Sequence, residues 1–162
     1  MTFDINHFWG DDDNDNPILT NEMVAFAENA LNVKLPPLFI QLLKKQNGGY
    51  NNGFAFPMSQ KTSWAKDHIP FYELFGIVTD PSIESVHNIL ETDYMTKEWS
   101  LPERQVLLTG EGHWWITLDY RNGENPTVRW IDVECGEDIH VADSFDSFIH
   151  GLVPQDNYAG EE

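Results

Sequence analysis

Two short helix patterns joined by a pair of prolines make residues 20–53 the strongest constraint on how this chain folds. In the first pattern, apolar residues recur at the three- and four-residue spacing of one helix face. These residues are Met23, Phe26, Ala27, Ala30 and Leu31. Glu22 suits the positive end of a helix dipole, and Asn32 suits a left-handed helix end. The sequence therefore predicts an amphipathic helix that stops at Asn32.

A second helix is predicted directly after the double proline. Pro36 and Pro37 favour a helix start, since a proline in the first turn loses no backbone hydrogen bond. The apolar stripe of this helix consists of Leu38, Leu42 and Leu43. The stretch Asn47-Gly48-Gly49 is predicted to end the helix, because glycine and asparagine accept the left-handed backbone found there.

The last third of the chain is predicted to form an antiparallel sheet. Four stretches rich in β-branched and aromatic residues are separated by turn signals; they are 106–109, 114–120, 127–134 and 139–141. Shorter strands are expected at 54–56 and 73–78. A third helix is expected from the spacing of Ile83, Val86, Ile89 and Leu90, and a closing helix from a cap at Asp143 or Ser144.

These elements predict the α+β class: a single domain with a mostly antiparallel or mixed sheet and helices packed on it. We expect residues 1–19 to form an acidic N-terminal arm, residues 20–152 the domain, and residues 153–162 a mobile acidic tail.

Composition limits the classes of protein that need consideration. A chain of 162 residues suffices for one domain, and its single cysteine, Cys135, excludes a disulfide framework. No apolar run approaches the ~20 residues of a membrane helix. The N-terminus lacks the basic start and apolar stretch of a secretory signal. The expected location is therefore the cytoplasm.

An excess of acidic residues gives the chain a formal net charge of −18. Such a charge repels nucleic acid and anionic membranes and attracts basic partners. The acids cluster at two places: Asp11, Asp12, Asp13 and Asp15 in the first, and Asp132, Glu134, Glu137, Asp138, Asp143 and Asp146 in the second. Acidity also keeps many proteins soluble, so charge alone leaves both interpretations open.

The first acidic run matches part of a calcium-binding loop. Three of its aspartates occupy positions 1, 3 and 5 of such a loop, and Glu22 occupies position 12. Position 6 requires a left-handed backbone, but Asn16 stands there and the following Pro17 favours an extended conformation. A solvated acidic loop is the better interpretation. No metal or other cofactor is predicted.

No catalytic apparatus is predicted either. The histidines form no HxxxH or HExxH pair, and the nucleophile elbow, P-loop and dinucleotide motifs are missing. Asp67-His68 and His113 would form a base and its orienting group only if the fold joined them. Cys135 is surrounded by acids without a basic activator, which disfavours the reactive thiolate.

Aromatic residues in polar surroundings suggest an interaction surface. Trp114 and Trp115 point to opposite faces of a strand, so one of them is expected to lie outside the core. Trp64 lies in a polar loop, and tryptophan is enriched at interaction hot spots, although partial burial is its commoner fate. We therefore predict a partner-binding surface without catalytic or metal-binding residues. It comprises Asp11, Asp12, Asp13, Asp15, Trp64, His113, Trp114, Asp132, Glu134, Glu137 and Asp138.

The order of motifs along the chain resembles the SUKH superfamily, which includes bacterial immunity proteins and fungal cell-wall synthesis regulators. The acidic helix, Leu-Pro corner, apolar helix and Asn-Gly-Gly stop of residues 20–53 carry this resemblance. Further motifs follow in the family's order: Phe-Trp at 8–9, TSWAKDHI at 62–69, LFGI at 74–77, LDYR at 118–121 and VADSFDSFIHGL at 141–152. Asn32 departs from the family, which usually has glycine there.

The resemblance implies a binding protein rather than an enzyme. Many bacterial members look like immunity proteins that bind and block toxins, often nucleases. A nuclease carries cationic residues to hold phosphate, so an acidic protein can occupy its cleft. We expect a basic protein partner, a cognate toxin domain, and neither a nucleic acid nor a membrane. An intracellular scaffold or regulator like the fungal relatives is the alternative.

Overall fold

Four α-helices and seven strands form within the residues described by this computed structural model, which are 4–10, 16–83 and 87–158. The helices are α1 (Asn21–Leu31), α2 (Pro37–Lys45), α3 (Thr92–Trp99) and α4 (Phe145–His150). The strands are β1 (Gly49–Pro57), β2 (His68–Leu74), β3 (Gln105–Gly110), β4 (Trp114–Asp119), β5 (Thr127–Asp132), β6 (Glu137–Ala142) and β7 (Val153–Pro154). Short 3-10 turns lie at Ile5–His7, Ile89–Glu91 and Gln155–Tyr158.

The strands form two antiparallel sheets, which confirms the predicted α+β class. One sheet has the order β2-β1-β7 and the other the order β3-β4-β5-β6. A backbone hydrogen bond of 2.7 Å from the Phe75 amide to the Leu108 carbonyl joins the chain after β2 to β3. The core contains Phe39 of α2, Phe148 of α4 and Trp130 of β5, all of them fully buried. None of the helices in the described ranges has the length and apolar composition to cross a membrane.

The predicted end of α1 and the predicted starts of α2 and α4 are confirmed, whereas α2 ends at Lys45, before the predicted stop at Asn47-Gly48-Gly49. Asn32 ends α1 in the left-handed conformation with φ 56°, and Pro37 is the first residue of α2. The Ser144 side chain caps α4 by accepting a hydrogen bond from the Ser147 amide. The predicted stripe of α1 is wrong at Phe26, which is 55% exposed, and at Ala30, which is also exposed. The helix docks through the face centred on Val24 and Ala27 instead.

The third helix begins later than its apolar spacing predicts. Ile89 lies in a 3-10 turn before α3, and Val86 lies outside the described residues. The backbone at this point pairs with another strand-like segment: Gly76 and Asn88 form a parallel bridge, and the Ile89 amide donates to the Gly76 carbonyl. The Asn88 side chain also accepts a hydrogen bond from the Val78 amide and donates one to the Val78 carbonyl. These bonds hold the chain at Asn88 in an extended form.

Residues near both ends of the described chain pack on β1 and β2. Phe8 is fully buried and stacks on Phe54 with ring centroids 5.7 Å apart. At the other end, β7 pairs with β1, and the ring of Tyr158 stacks on His68 at 3.9 Å. The sequence did not predict the strand and turn after residue 152. The division into arm, domain and tail stays a prediction.

The Asn47 side chain links the end of α2 to two other parts of the chain by hydrogen bonds. Its side-chain amide donates to the carbonyls of Pro17 (2.8 Å) and Ile77 (2.7 Å), and its oxygen accepts from the Ile77 amide (2.8 Å). Gly48 has φ 86°, and a Cβ there would lie 2.6 Å from the Gly76 nitrogen. The Asn-Gly pair therefore permits a close approach of two backbones that a larger residue would prevent.

Candidate partner-binding site

Most of the predicted partner-binding residues come together at one end of the four-stranded sheet. The Ser63 hydroxyl donates to Asp132 (2.5 Å), and the Ser63 amide donates to Glu137 (2.8 Å). His113 lies 3.7 Å from the Asp132 carboxylate and 3.8 Å from that of Glu134. The rings of Trp64 and Trp114 meet edge to face at 5.8 Å. The run Asp11, Asp12, Asp13 and Asp15 lies outside the described residues.

Trp114 is not a surface residue, and the expectation that it or Trp115 lies outside the core is wrong. Their exposed fractions are 5% and 3%. Trp114 stacks on Trp130 with an interplanar angle of 15° and a centroid separation of 4.9 Å. The physical reason is the position of β4, an inner strand between β3 and β5 that is buried along its whole length.

Asp132 is also buried, with 1% of its surface exposed. Besides Ser63, the backbone amides of Glu134 and Cys135 donate to its carboxylate at 3.0 Å. Burial alone would raise the pKa of Asp132, but these hydrogen bonds and nearby His113 bring that pKa below its ordinary value. The carboxylate therefore closes the turn between β5 and β6, and the structure corrects its assignment to an exposed acidic surface.

Glu137 and Asp138 likewise bind other side chains of the protein. Asp138 pairs with Arg121 at 3.0 Å and with Arg129 at 2.5 Å. Burial opposes ionisation of Asp138, but the two guanidinium groups lower its pKa overall. Glu137 accepts a 3.0 Å hydrogen bond from the indole of Trp130. Glu134, with 67% of its side chain exposed, faces solvent more fully than Asp138, with 35%.

We expect Asp132→Asn to lower the free energy of unfolding at pH 7 by about 2 kcal/mol, the scale of hydrogen bonds to a buried charge. Because the folded pKa is lowered, the charge stabilises the fold above the unfolded pKa of about 3.9 and loses that effect as pH falls further. The difference between wild type and variant should therefore narrow below about pH 4 in urea titrations.

Asp143→Asn provides the matched control for this measurement, since 93% of the Asp143 side chain is exposed. It should change stability little at either pH. A difference between wild type and Asp132→Asn that keeps its full size in acid would contradict the assigned role of the carboxylate.

Residues considered for catalysis or metal binding have other surroundings. His68 is buried, lies 2.9 Å from Asp67 and stacks on Tyr158. Partial desolvation and Asp132 raise the pKa of the exposed Cys135 thiol, which disfavours its reactive form. The described residues contain no His, Cys, Asp and Glu cluster suited to a metal ion. The aspartates of the calcium-like loop lie outside the described part of the chain.

An open cleft of about 440 Å³, not predicted from the sequence, lies between the two sheets and α3. We call it the aromatic cleft. Its exposed or half-buried lining includes Tyr50, Tyr72, Glu73, His87, Trp99 and Glu111. Phe75, Trp114 and Trp115 form its buried part. These residues come from β1, β2, α3 and the β3–β4 hairpin, and from Phe75 and His87 in the chain between β2 and α3.

Two glycines of the β3–β4 hairpin shape the wall of the aromatic cleft. A Cβ at Gly110 would lie 2.1 Å from the Trp115 ring, so the indole packs directly on the glycine backbone. Gly112, with φ 109°, faces the Trp99 ring, 3.6 Å from where its Cβ would be. The Gly-Glu-Gly run beside Trp114 and Trp115 is thus more than a turn signal, and it is the sequence feature that could have indicated the cleft.

A partly buried carboxylate lies within this aromatic lining. Glu73, with 12% of its side chain exposed, is 2.8 Å from Nδ1 of His87. The hydrogen bond to Glu73 raises the pKa of His87, against the opposing effect of burial. The His87 ring also stacks on Phe75 at 5.4 Å. Carboxylates beside aromatic faces form surroundings that suit a cation.

Two antiparallel sheets, four helices within the described residues and an open cleft define a small α+β domain. The model of the SMI1 / KNR4 family (SUKH-1) matches residues 18–151, and the chain therefore belongs to this family. The match confirms the resemblance found in the motifs. Comparison with the curated proteins gives no match.

Proposed function

We propose that this chain is a non-enzymatic immunity protein that neutralises a toxin by covering its basic active site. The proposal is supported by one combined observation: membership of the SMI1 / KNR4 family (SUKH-1) in a chain whose formal net charge is −18. A cationic toxin domain, such as a nuclease, supplies the opposite charge, because an enzyme that holds phosphate must present basic residues. Blocking requires contact and exclusion of substrate, without covalent chemistry.

In this proposal, the exposed carboxylates attract the basic partner. Glu98 on α3, Glu111 beside the aromatic cleft and Glu134 after β5 all lie on the surface. Negative charges in these positions attract a basic partner over several ångströms and raise the rate of encounter. Of the partner-binding residues predicted from sequence, we retain Glu134, His113 and Trp64 as contact residues and assign Trp114 and Asp132 to the interior.

The alternative is a scaffold or regulator of the cell-wall regulator type, which binds client proteins without a toxin. Both functions use surface contacts of the same family fold, and the neighbouring genes discriminate between them. A toxin gene beside this one, whose product is captured by the purified chain, supports immunity. Capture of several unrelated client proteins, without protection against any toxin, supports the alternative.

Association with the captured toxin domain should slow steeply as salt rises, by roughly tenfold or more between low and high ionic strength, whereas dissociation changes less. Combining Glu134→Gln, Asp143→Asn and Asp146→Asn should slow association at low salt, because all three acids are exposed. Surface plasmon resonance at several salt concentrations measures both rate constants.

A control with the opposite sign removes positive charge instead. The combination of Lys61→Gln and Lys97→Gln, both exposed, should speed association at low salt. An association rate constant that is the same at low and high salt would show that the acidity serves solubility alone. A toxin that stays fully active in the complex would overturn the occlusion mechanism.

A further inference from the structure

We propose that the aromatic cleft receives an arginine side chain of the basic partner. This inference rests on the proposed function for the identity of the partner and adds a specific contact to it. The cleft is open, holds about 440 Å³, and lies beside residues that place both aromatic faces and carboxylates around it.

Large aromatic side chains at this cleft are unusually accessible. Tyr50 is 58% exposed and Trp99 is 36% exposed. They approach the cleft from β1 and from the last turn of α3, whereas the buried Trp115 lies deeper. Exposed tyrosine and tryptophan faces attract a cation placed over the ring, and arginine is the cation that most often uses them.

Charge in the cleft favours a cationic occupant. Glu73 and Glu111 contribute carboxylates, and none of the described lining residues is lysine or arginine. His87 is the lining residue that can carry positive charge, and it is already paired with Glu73 at 2.8 Å. An anionic occupant would therefore face a carboxylate without a lysine or arginine to receive it, whereas a cation gains attraction from Glu111 and from the aromatic faces.

Arginine fits these surroundings better than lysine. Its planar guanidinium stacks on aromatic rings and is weakly hydrated, so burying it in the aromatic cleft costs less than burying a compact ammonium. The same group can donate two parallel hydrogen bonds to one carboxylate. A basic toxin domain offers arginines on the surface that holds phosphate, which connects the cleft to the occlusion mechanism.

The first test uses Nα-acetyl-arginine amide as a probe of the purified chain. The indole N–H signal of Trp99 in proton–nitrogen NMR spectra should shift with saturation at millimolar probe. Nα-acetyl-citrulline amide has nearly the same shape without the charge and should cause no saturable shift. Nα-acetyl-lysine amide should bind several-fold more weakly. Equal responses to arginine and citrulline, or no saturation with arginine, would overturn the inference.

Variants locate the bound arginine. Trp99→Ala should abolish saturable shifts of the other cleft indoles, whereas Tyr94→Ala should leave them intact, because Tyr94 is 58% exposed on the same helix but lies outside the cleft lining. Glu111→Gln should weaken probe binding several-fold, and Glu98→Gln is its matched control. Loss of binding in Tyr94→Ala or Glu98→Gln to the same extent would contradict the cleft as the site.

The toxin complex separates this inference from the proposed function. Trp99→Ala should raise the dissociation rate constant about thirtyfold, as for a hot-spot tryptophan, and Tyr94→Ala should change it less than about threefold. Tight toxin binding that is indifferent to Trp99→Ala overturns the cleft assignment and leaves immunity standing. Saturable arginine binding by a chain that neutralises no toxin overturns immunity and leaves the cleft as an arginine site.

Discussion

Replacing Asn47 with alanine should lower the free energy of unfolding by about 4 kcal/mol, a large part of the stability of a typical domain. The substitution removes three side-chain hydrogen bonds, which hold Pro17 and both backbone groups of Ile77. Asn47 is 4% exposed, so water cannot replace the lost partners. Each buried backbone group left without a partner then costs about 1–3 kcal/mol.

Urea-induced unfolding followed by tryptophan fluorescence measures this effect. Asn52→Ala is the matched control, because the Asn52 side chain also donates to a backbone carbonyl, that of His7, but at an exposed position. Its cost should stay below about 1 kcal/mol, since water can take over the exposed hydrogen bond. Equal losses of unfolding free energy in the two variants would contradict the role of the Asn47 hydrogen bonds in holding the end of α2 against the segment after β2.

Features with a local cause were predictable from the sequence. Asn32 and Pro37 set the end of α1 and the start of α2 through backbone preferences that depend on neighbours along the chain. The strands of the last third follow from their side-chain composition and turn residues for the same reason. The third helix was misplaced because Asn88 and Ile89 hydrogen-bond to the segment after β2, which is a tertiary contact.

The candidate site was harder to predict because exposure is a property of the assembled sheets. Neighbouring residues of a strand point to opposite faces, so in a sheet with one solvent-facing side either Trp114 or Trp115 would be exposed. Both faces of the inner strand β4 are covered, however. Clustering of acids along the chain likewise gave no sign that Asp132 is enclosed or that Asp138 pairs with Arg121 and Arg129. The aromatic cleft joins residues from both sheets, from α3 and from the chain between β2 and α3, so its formation depends on the fold itself.

Gly110→Ala should lower the free energy of unfolding by about 3 kcal/mol, the upper part of the usual cost of overpacking a well-filled core. The added methyl group would meet the Trp115 ring at 2.1 Å and the Trp114 carbonyl at 2.7 Å. Since the carbonyl belongs to the paired strand β4, the indole has to move, and Trp115 lines the aromatic cleft. Denaturation should therefore show the stability loss, and the arginine probe should bind more weakly.

Gly123→Ala separates this clash from the general cost of replacing a glycine. Gly123 has φ 136°, and a Cβ there would meet no atom within 4 Å. Its substitution should cost about 1 kcal/mol, from backbone strain alone, and leave arginine binding unchanged. If Gly110→Ala proved as stable as the wild type and bound the probe equally well, Trp115 would not rest on the hairpin backbone. The wall of the cleft would then not depend on that glycine, because the ring could move aside without cost.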